Sequence, residues 1–161
     1  MLIISSTVKS YIAGFLDGDG CIIFQLVRRK DYRYGYQIRA SIVFYQKTNN
    51  RYHLEWLKEI FSIGYIRNRK DGMTEYTIVG IKPVIEILEL LKPYIRLKQR
   101  HVVLAKKINS ILSKSLDVKN FVEASELVDE FAELNYSKKR INNSKGLKKY
   151  LRQHKLYPRN D

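Results

Sequence analysis

Apolar and polar residues change period several times along this chain, and each change marks an element. Ile12, Ala13, Phe15 and Leu16 form a compact apolar run. Ser5, Ser6 and Thr7 before it suit a helix N-cap, and Gly18-Asp19-Gly20 after it suits a stop. The pattern predicts a first helix running to about Asp19. Ile22, Phe24 and Leu26 then alternate with Cys21, Ile23, Gln25 and Val27, which is the period of a strand. Residues 28–35 are a basic, Tyr-containing loop with Asp31 and Gly35 as turn residues. In the next strand Ile38, Ala40, Ile42 and Phe44 share one face. Gln37, Arg39 and Ser41 share the other, and Val43 and Tyr45 break the polar pattern. Leu54, Leu57, Ile60 and Phe61 recur at helical spacing, flanked by Trp56, with Gly64 as the terminator. Residues 65–69 and 75–79 read as a hairpin about Lys70-Asp71-Gly72, with Tyr76 and Ile78 inward and Glu75 and Thr77 outward. Pro83 suits the first turn of a helix that buries Ile85, Leu88, Leu91 or their neighbours, and Pro93 stops it. A long helix over 97–113 places Val102, Ala105, Ile108 and Leu112 together. Asp117 caps a last core helix with Phe121, Ala124, Val128 and Phe131, ending near Asn135.

The order is helix, two strands, helix, two strands, then helices. That is α+β with a four-stranded antiparallel sheet and C-terminal helices. We read one core domain over residues 1–135. The composition shifts at Ser137. Lys138, Lys139, Arg140, Lys145, Lys148, Lys149, Arg152, Lys155 and Arg159 face only Asp161. Residues 136–161 therefore read as a basic tail, with Leu147, Tyr150 and Leu151 forming a short amphipathic helix. By charge alone it is as readily a solvated tail as a clamp on phosphates.

Composition narrows the partners. The 161 residues carry 30 Lys+Arg against 16 Asp+Glu, a net charge of +14. So large an excess points to a polyanion, with nucleic acid ahead of an anionic membrane. The apolar runs are too short for a transmembrane helix, so no membrane partner is expected. A single cysteine, Cys21, rules out a disulfide framework and fits a reducing, intracellular compartment. It reads as a small packed residue. His53, His101 and His154 lack metal-ligand spacing. Abundant Ile, Lys, Tyr and Asn match the A+T-rich codons of an organellar gene.

The polar sheet face suits DNA. A β-ribbon enters the major groove, and a seven-residue strand spans about 23 Å, or about seven base pairs. Gln25 and Gln37 can bridge adenine. Arg29, Arg39, Arg67 and Arg69 can fork to guanine, and Tyr32 and Thr77 can pack on thymine methyls. Glu75 could accept from cytosine or hold a neighbouring arginine. Arg28, Ser41, Lys138 and Lys139 complete the expected contact set.

The stretch from Tyr11 to Gly20 carries the chemistry. Gly14 and Gly18 are four apart and share a helix face, where a second backbone can approach closely. Asp17 and Asp19 point about 200° apart if both are helical, so they would not share one ion. A second copy on the glycine face would bring two equivalent carboxylates together at the helix ends, a seat for divalent cations. By spacing alone, the stretch is also a buried helix with a capping turn.

Ile12 to Gly20 resembles the signature of the LAGLIDADG homing endonucleases. Ala13, Gly14, Asp17, Asp19 and Gly20 match, Phe15 and Leu16 are apolar equivalents, and Gly18 is a small one. The αββαββα order extends the likeness to Asn135. One motif per chain is similar to the homodimeric branch encoded in algal organelle group I introns. The resemblance implies a site-specific double-stranded DNA endonuclease that hydrolyses phosphodiester bonds at a long pseudo-palindromic site. It leaves 3′ overhangs and promotes intron homing. The implied cofactor is Mg²⁺, with Mn²⁺ or Ca²⁺ able to replace it in binding, and no small-molecule cofactor. The implied partners are DNA and a second copy of the chain, in a chloroplast or mitochondrion. Asp19 and the Gly18 carbonyl would be the metal ligands. Gln46 would position a water, and Lys98 would offset charge at the scissile phosphate. Relatives carry a basic residue four positions after the glutamine. Here that position is Asn50, and Arg51 beside it is the candidate substitute. Gly14, Gly18, Tyr11 and Phe15 would form the dimer interface. Asp17 reads as structural. An RNA-binding maturase and a non-catalytic DNA-binding protein are the alternatives. The joint presence of Asp19, Gln46 and Lys98 favours cleavage.

Overall fold

The computed structural model describes residues 3–158. Arg159 and Asp161 of the basic segment lie outside them. The elements are α1 (Ser6–Asp19), β1 (Gly20–Arg28), β2 (Tyr36–Lys47), α2 (Arg51–Phe61), β3 (Tyr65–Asn68), β4 (Met73–Val79), α3 (Ile81–Leu91), α4 (Gln99–Lys114), α5 (Val118–Leu134) and α6 (Ser144–Gln153). The four strands form one sheet in the order β1-β2-β4-β3. This is the α+β architecture that the periodicity predicts. By backbone proximity the chain divides into two compact units. One holds residues up to 23 and 40–102, the other 24–39 and 103 onward.

In the first unit, α1 starts where the Ser5 hydroxyl accepts the Val8 N–H. It passes into β1 without a loop. A Cβ on Gly20 would lie 2.7 Å from the Leu16 side chain, so that junction requires glycine. Ile12, Ala13 and Leu16 are fully buried, and α1 packs against α3, whose Val84, Ile87, Leu88 and Leu91 are also fully buried. The buried stripe of α3 thus includes Val84 and Ile87, neighbours of the half-buried Ile85. Antiparallel β2 and β4 pair Phe44 with Tyr76 and Gln46 with Thr74. The buried Tyr76 hydroxyl donates to the Ile63 carbonyl (2.6 Å), and burial raises its pKa well above the ordinary tyrosine range.

Three local expectations are corrected here. Helix α2 ends at Ser62, in left-handed backbone (φ 58°), not at Gly64. Gly64 (φ 85°) makes the next turn, where a Cβ would lie 2.4 Å from the Thr77 carbonyl oxygen. Helix α4 starts at Gln99 rather than Leu97, because residues 96–98 form a turn held by another helix, as described below. Ser41 and Thr77, read as facing outward, are each only 6 % exposed. Both lie on the two central strands, where Thr77 is flanked by Val43 and Tyr65.

In the second unit, Phe24 stacks on Phe131 of α5 with centroids 4.8 Å apart. The basic segment packs here as a built element. Leu147 and Leu151 of α6 are fully buried, and α6 contacts α5. Arg140 Nη1 donates to the Phe24 carbonyl (2.6 Å), and the Asp129 carboxylate accepts from the Ser144 N–H and hydroxyl. Lys148 pairs with Glu126. Removing a buried leucine leaves a cavity that costs about 2–5 kcal/mol. We therefore expect Leu147→Ala to lower unfolding free energy by about that amount in urea titration, an effect that a solvated tail would not show.

Candidate active site and nucleic-acid interface

Everything in the candidate active site belongs to the first unit and gathers at the C-terminal end of α1. Asp17 lies one turn before the helix stop and faces the turn before α4. Its Oδ2 accepts the N–H groups of Arg96 (2.7 Å) and Leu97 (3.1 Å), and Oδ1 accepts that of Lys98 (3.1 Å). Three backbone donors that would otherwise lack partners are thereby satisfied, in the manner of an N-cap. Asp17 is structural, as its sequence position suggests. Loss of a cap costs about 1–2 kcal/mol. Asp17→Ala should therefore lower stability by about that amount, with protease cleavage near residues 96–98 as the local readout.

The same contact positions Lys98. Its Nζ donates to the Asp17 carbonyl oxygen (2.8 Å), at a helix end whose unpaired carbonyls carry partial negative charge. An ammonium has three donors, so two remain for other partners.

Asp19 is the last residue of α1 and is exposed. Gln46, near the end of β2, donates from Nε2 to Asp19 Oδ2 (3.3 Å). Asn50 Nδ2 donates in turn to Gln46 Oε1 (3.4 Å). The structure thus joins Asp19 to Gln46 and places Lys98 at the adjoining carbonyl of Asp17. Arg51 is directed elsewhere: Nε bonds Glu55 (2.8 Å) and Nη1 bonds Asn68 (2.6 Å). Thr74 Oγ1 lies 2.9 Å from both Asn68 Oδ1 and Thr48 Oγ1, and its single proton serves one of them. Sequence reading missed Asn50 as a partner of Gln46, and its spacing of four residues was the only signal. It also missed Asn68 and Thr74, which only the strand register brings beside α2.

The donor set fits a hard divalent cation. A carboxylate and a backbone carbonyl are oxygen ligands, and Mg²⁺ is commonly held by one or two carboxylates, with water and substrate phosphates completing its shell. Among the described residues no group of three or more His, Cys, Asp or Glu side chains comes together. Asp19 and the Gly18 carbonyl would supply two oxygen ligands to such a cation, with water and phosphate completing its shell.

Gly14 and Gly18 are exposed, and a Cβ on either would meet nothing within 4 Å. The flanking aromatics are tied into the chain. The Tyr11 hydroxyl lies 3.1 Å from His53 Nε2, and Phe15 stacks on Phe44 at 5.6 Å. Tyr11 is still 53 % exposed, so it borders an open, side-chain-free helix face.

The expected DNA contacts divide between the units. In the first, Arg67 pairs with Glu75 (2.6 Å) and Arg69 with Asp71 (2.7 Å). Glu75 thus holds a neighbouring arginine, one of its two expected roles. The buried Ser41 and Thr77 have little surface to offer. In the second, Arg29 Nε, just past the end of β1, donates to Gln37 Oε1 on β2 (3.3 Å). Arg28 is more constrained. It donates to the Gly35 carbonyl, and its guanidinium lies 4.8 Å from the Tyr36 ring centroid and 4.1 Å from that of Tyr150. Tyr32, Lys138 and Lys139 are exposed, and Gln25 and Arg39 are half-buried.

The same arrangement of helices and sheet is found in a homing endonuclease. The crystal structure of the homing endonuclease I-CvuI with its target, in the presence of 2 mM Ca, superposes with a TM-score of 0.88 at 33 % identity, over 94 % of this chain and 97 % of that one. In sequence, this chain is 37 % identical over 131 residues to the DNA endonuclease I-CvuI of Chlorella vulgaris, covering 81 % of each chain. It is 34 % identical over 142 residues to the DNA endonuclease I-CreI of Chlamydomonas reinhardtii, covering 88 % of this chain and 86 % of that one. The LAGLIDADG endonuclease family pattern matches residues 12–124. The chain belongs to the LAGLIDADG endonuclease family.

Proposed function

We propose that this chain is a site-specific homing endonuclease that acts as a homodimer on double-stranded DNA. The observation that carries the reading is the end of α1. An exposed Asp19 is bonded to the Gln46 amide, with Lys98 alongside, on a helix whose Gly14 and Gly18 face is open. Two such faces back to back bring two Asp19 carboxylates together, one for each strand of a duplex. A two-fold dimer reads a site whose halves mirror each other.

Asp19 and the Gly18 carbonyl would hold Mg²⁺. When bound, the cation supplies polarisation of the scissile phosphate and neutralises charge on the departing 3′-oxygen. The chain does the rest. The Gln46 NH₂ has two protons; one serves Asp19 and the other is available to hold a water for attack. The Lys98 ammonium, fixed by the Asp17 carbonyl, offsets charge that develops on the phosphate. Arg51, turned from this cluster to Glu55 and Asn68, has only its Nη2 group left to offer a phosphate. Arg67 and Arg69 in one unit, and Arg29, Gln37 and Arg39 in the other, read base edges, and Lys138 and Lys139 take phosphates. Cleavage leaves 3′ overhangs. The gene sits in a mobile organellar intron, a reading supported by the homing activity named for I-CvuI and by the abundance of residues whose codons are A+T-rich.

The test is selection of cleaved products from a randomised duplex library with Mg²⁺. A two-fold symmetric consensus with 3′ overhangs is expected. No cleavage with Mg²⁺ or Mn²⁺, or a consensus without symmetry, overturns the reading.

A further inference from the structure

We infer that Asn50 is a positioning residue for the cleavage reaction, because its bond to Oε1 holds the Gln46 amide in the orientation that Asp19 selects. The inference rests on the nuclease reading above and assigns this chain a residue of its own at that site. Asn50 is the N-cap position of α2, where an asparagine ordinarily accepts a backbone N–H two or three residues on. Its side chain makes no such cap here. It reaches back four residues instead, and Nδ2 donates to Gln46 Oε1 (3.4 Å).

The direction of each bond follows from one end of the relay. A carboxylate only accepts, so the Gln46 atom facing Asp19 is the NH₂ group. Gln46 then turns its carbonyl toward Asn50, and Asn50 answers with its own NH₂ group. Without a donor at residue 50, the Gln46 amide is held only by its 3.3 Å bond to Asp19, and the second Gln46 proton loses its fixed direction. Misplacement of a positioning group by about 1 Å costs about 100-fold in rate. Nothing else in α2 depends on the Asn50 side chain, because the helix starts without using it.

The experiment uses the full chain and a duplex from the library selection. It compares wild type, Asn50→Asp, Asn50→Leu, Gln46→Leu and the double variant Asn50→Asp with Gln46→Leu. Asn50→Asp is isosteric, cannot donate and suits a helix N-cap, so it serves where Asn50→Leu fails to fold. Single-turnover cleavage with Mg²⁺ should slow about 100-fold in both Asn50 variants, with DNA affinity in Ca²⁺ unchanged. The second substitution should add no further loss on a Gln46→Leu background, since Asn50 acts through Gln46. In the metal-free protein, NMR relaxation of the Gln46 side-chain NH₂ group should report a rigid amide in wild type and a mobile one in the Asn50 variants. Wild-type cleavage rates in the Asn50 variants, or additive losses in the double variant, overturn the inference and leave the nuclease reading standing. A wild-type protein that cleaves nothing overturns the nuclease reading, and the NH₂ relaxation still decides whether Asn50 holds Gln46.

Discussion

Asp19→Asn is expected to bind DNA as well as wild type and to lose cleavage. The substitution replaces one oxygen by NH₂ and preserves shape. The amide oxygen it leaves could still accept the Gln46 Nε2 proton that now goes to Asp19 Oδ2, so the fold and the relay survive. What disappears is the negative charge and one of the oxygen ligands. Lys98 remains in place, because its anchor is the Asp17 carbonyl and not Asp19. Removing one preorganised electrostatic group from a reaction centre costs about 100- to 1000-fold, and loss of a metal ligand should reach at least that. The contacts proposed to hold the duplex lie on the sheet and the basic segment and do not include Asp19. Gel-shift affinity in Ca²⁺ should therefore match wild type, while cleavage over a Mg²⁺ titration falls below detection. An Asp19→Asn protein that cuts with unchanged metal dependence would remove Asp19 from the site.

The elements legible in the sequence are those whose periodicity is set by one buried face. Ile12, Ala13 and Leu16 in α1, and Ile38, Ala40, Ile42 and Phe44 in β2, fall where the pattern puts them. What the sequence hides depends on partners distant along the chain. The start of α4 is displaced because Asp17, about 80 residues earlier, takes the N–H groups of residues 96–98. Ser62 ends α2 because it adopts left-handed backbone, which a reader assigns to glycine first. Ser41 and Thr77 look solvent-facing by alternation, yet neighbours across the central strands cover them. The basic segment shows the limit of counting charge. Arg140 and Lys148 contribute to the run of cations, and both are bonded within the second unit. At the site, the family resemblance supplies Asp19, Gln46 and Lys98. Asn68 becomes visible only when the strand register sets distances, while Asn50 enters the sequence reading only as the place where a basic residue is missing. Arg51 is likewise a free cation in the sequence, and in the structure it is held by Glu55 and Asn68.

Gly14→Leu should separate the proposed dimer into folded monomers, and the argument turns on what each state loses. In the single chain, a Cβ at residue 14 meets nothing within 4 Å, so the leucine points into solvent. Replacing an exposed helical glycine by leucine even favours the helix, by about 0.5–1 kcal/mol. The folded monomer should therefore be no less stable than the wild-type chain diluted to monomer. Between two copies the same side chain occupies the space through which the backbones approach. Overpacking costs about 1–3 kcal/mol per site, and two-fold symmetry places one leucine on each side. The pair then opposes association by about 2–6 kcal/mol, which weakens the dimer between about 30-fold and 10⁴-fold. Light scattering over a dilution series should show half the wild-type mass at micromolar protein. Double-strand cleavage should fall in proportion to the lost dimer, because each chain brings one Asp19. A Gly14→Leu protein with wild-type dimer affinity would place the interface elsewhere than on α1. One that is monomeric and still cuts both strands would show that a single Asp19 is enough.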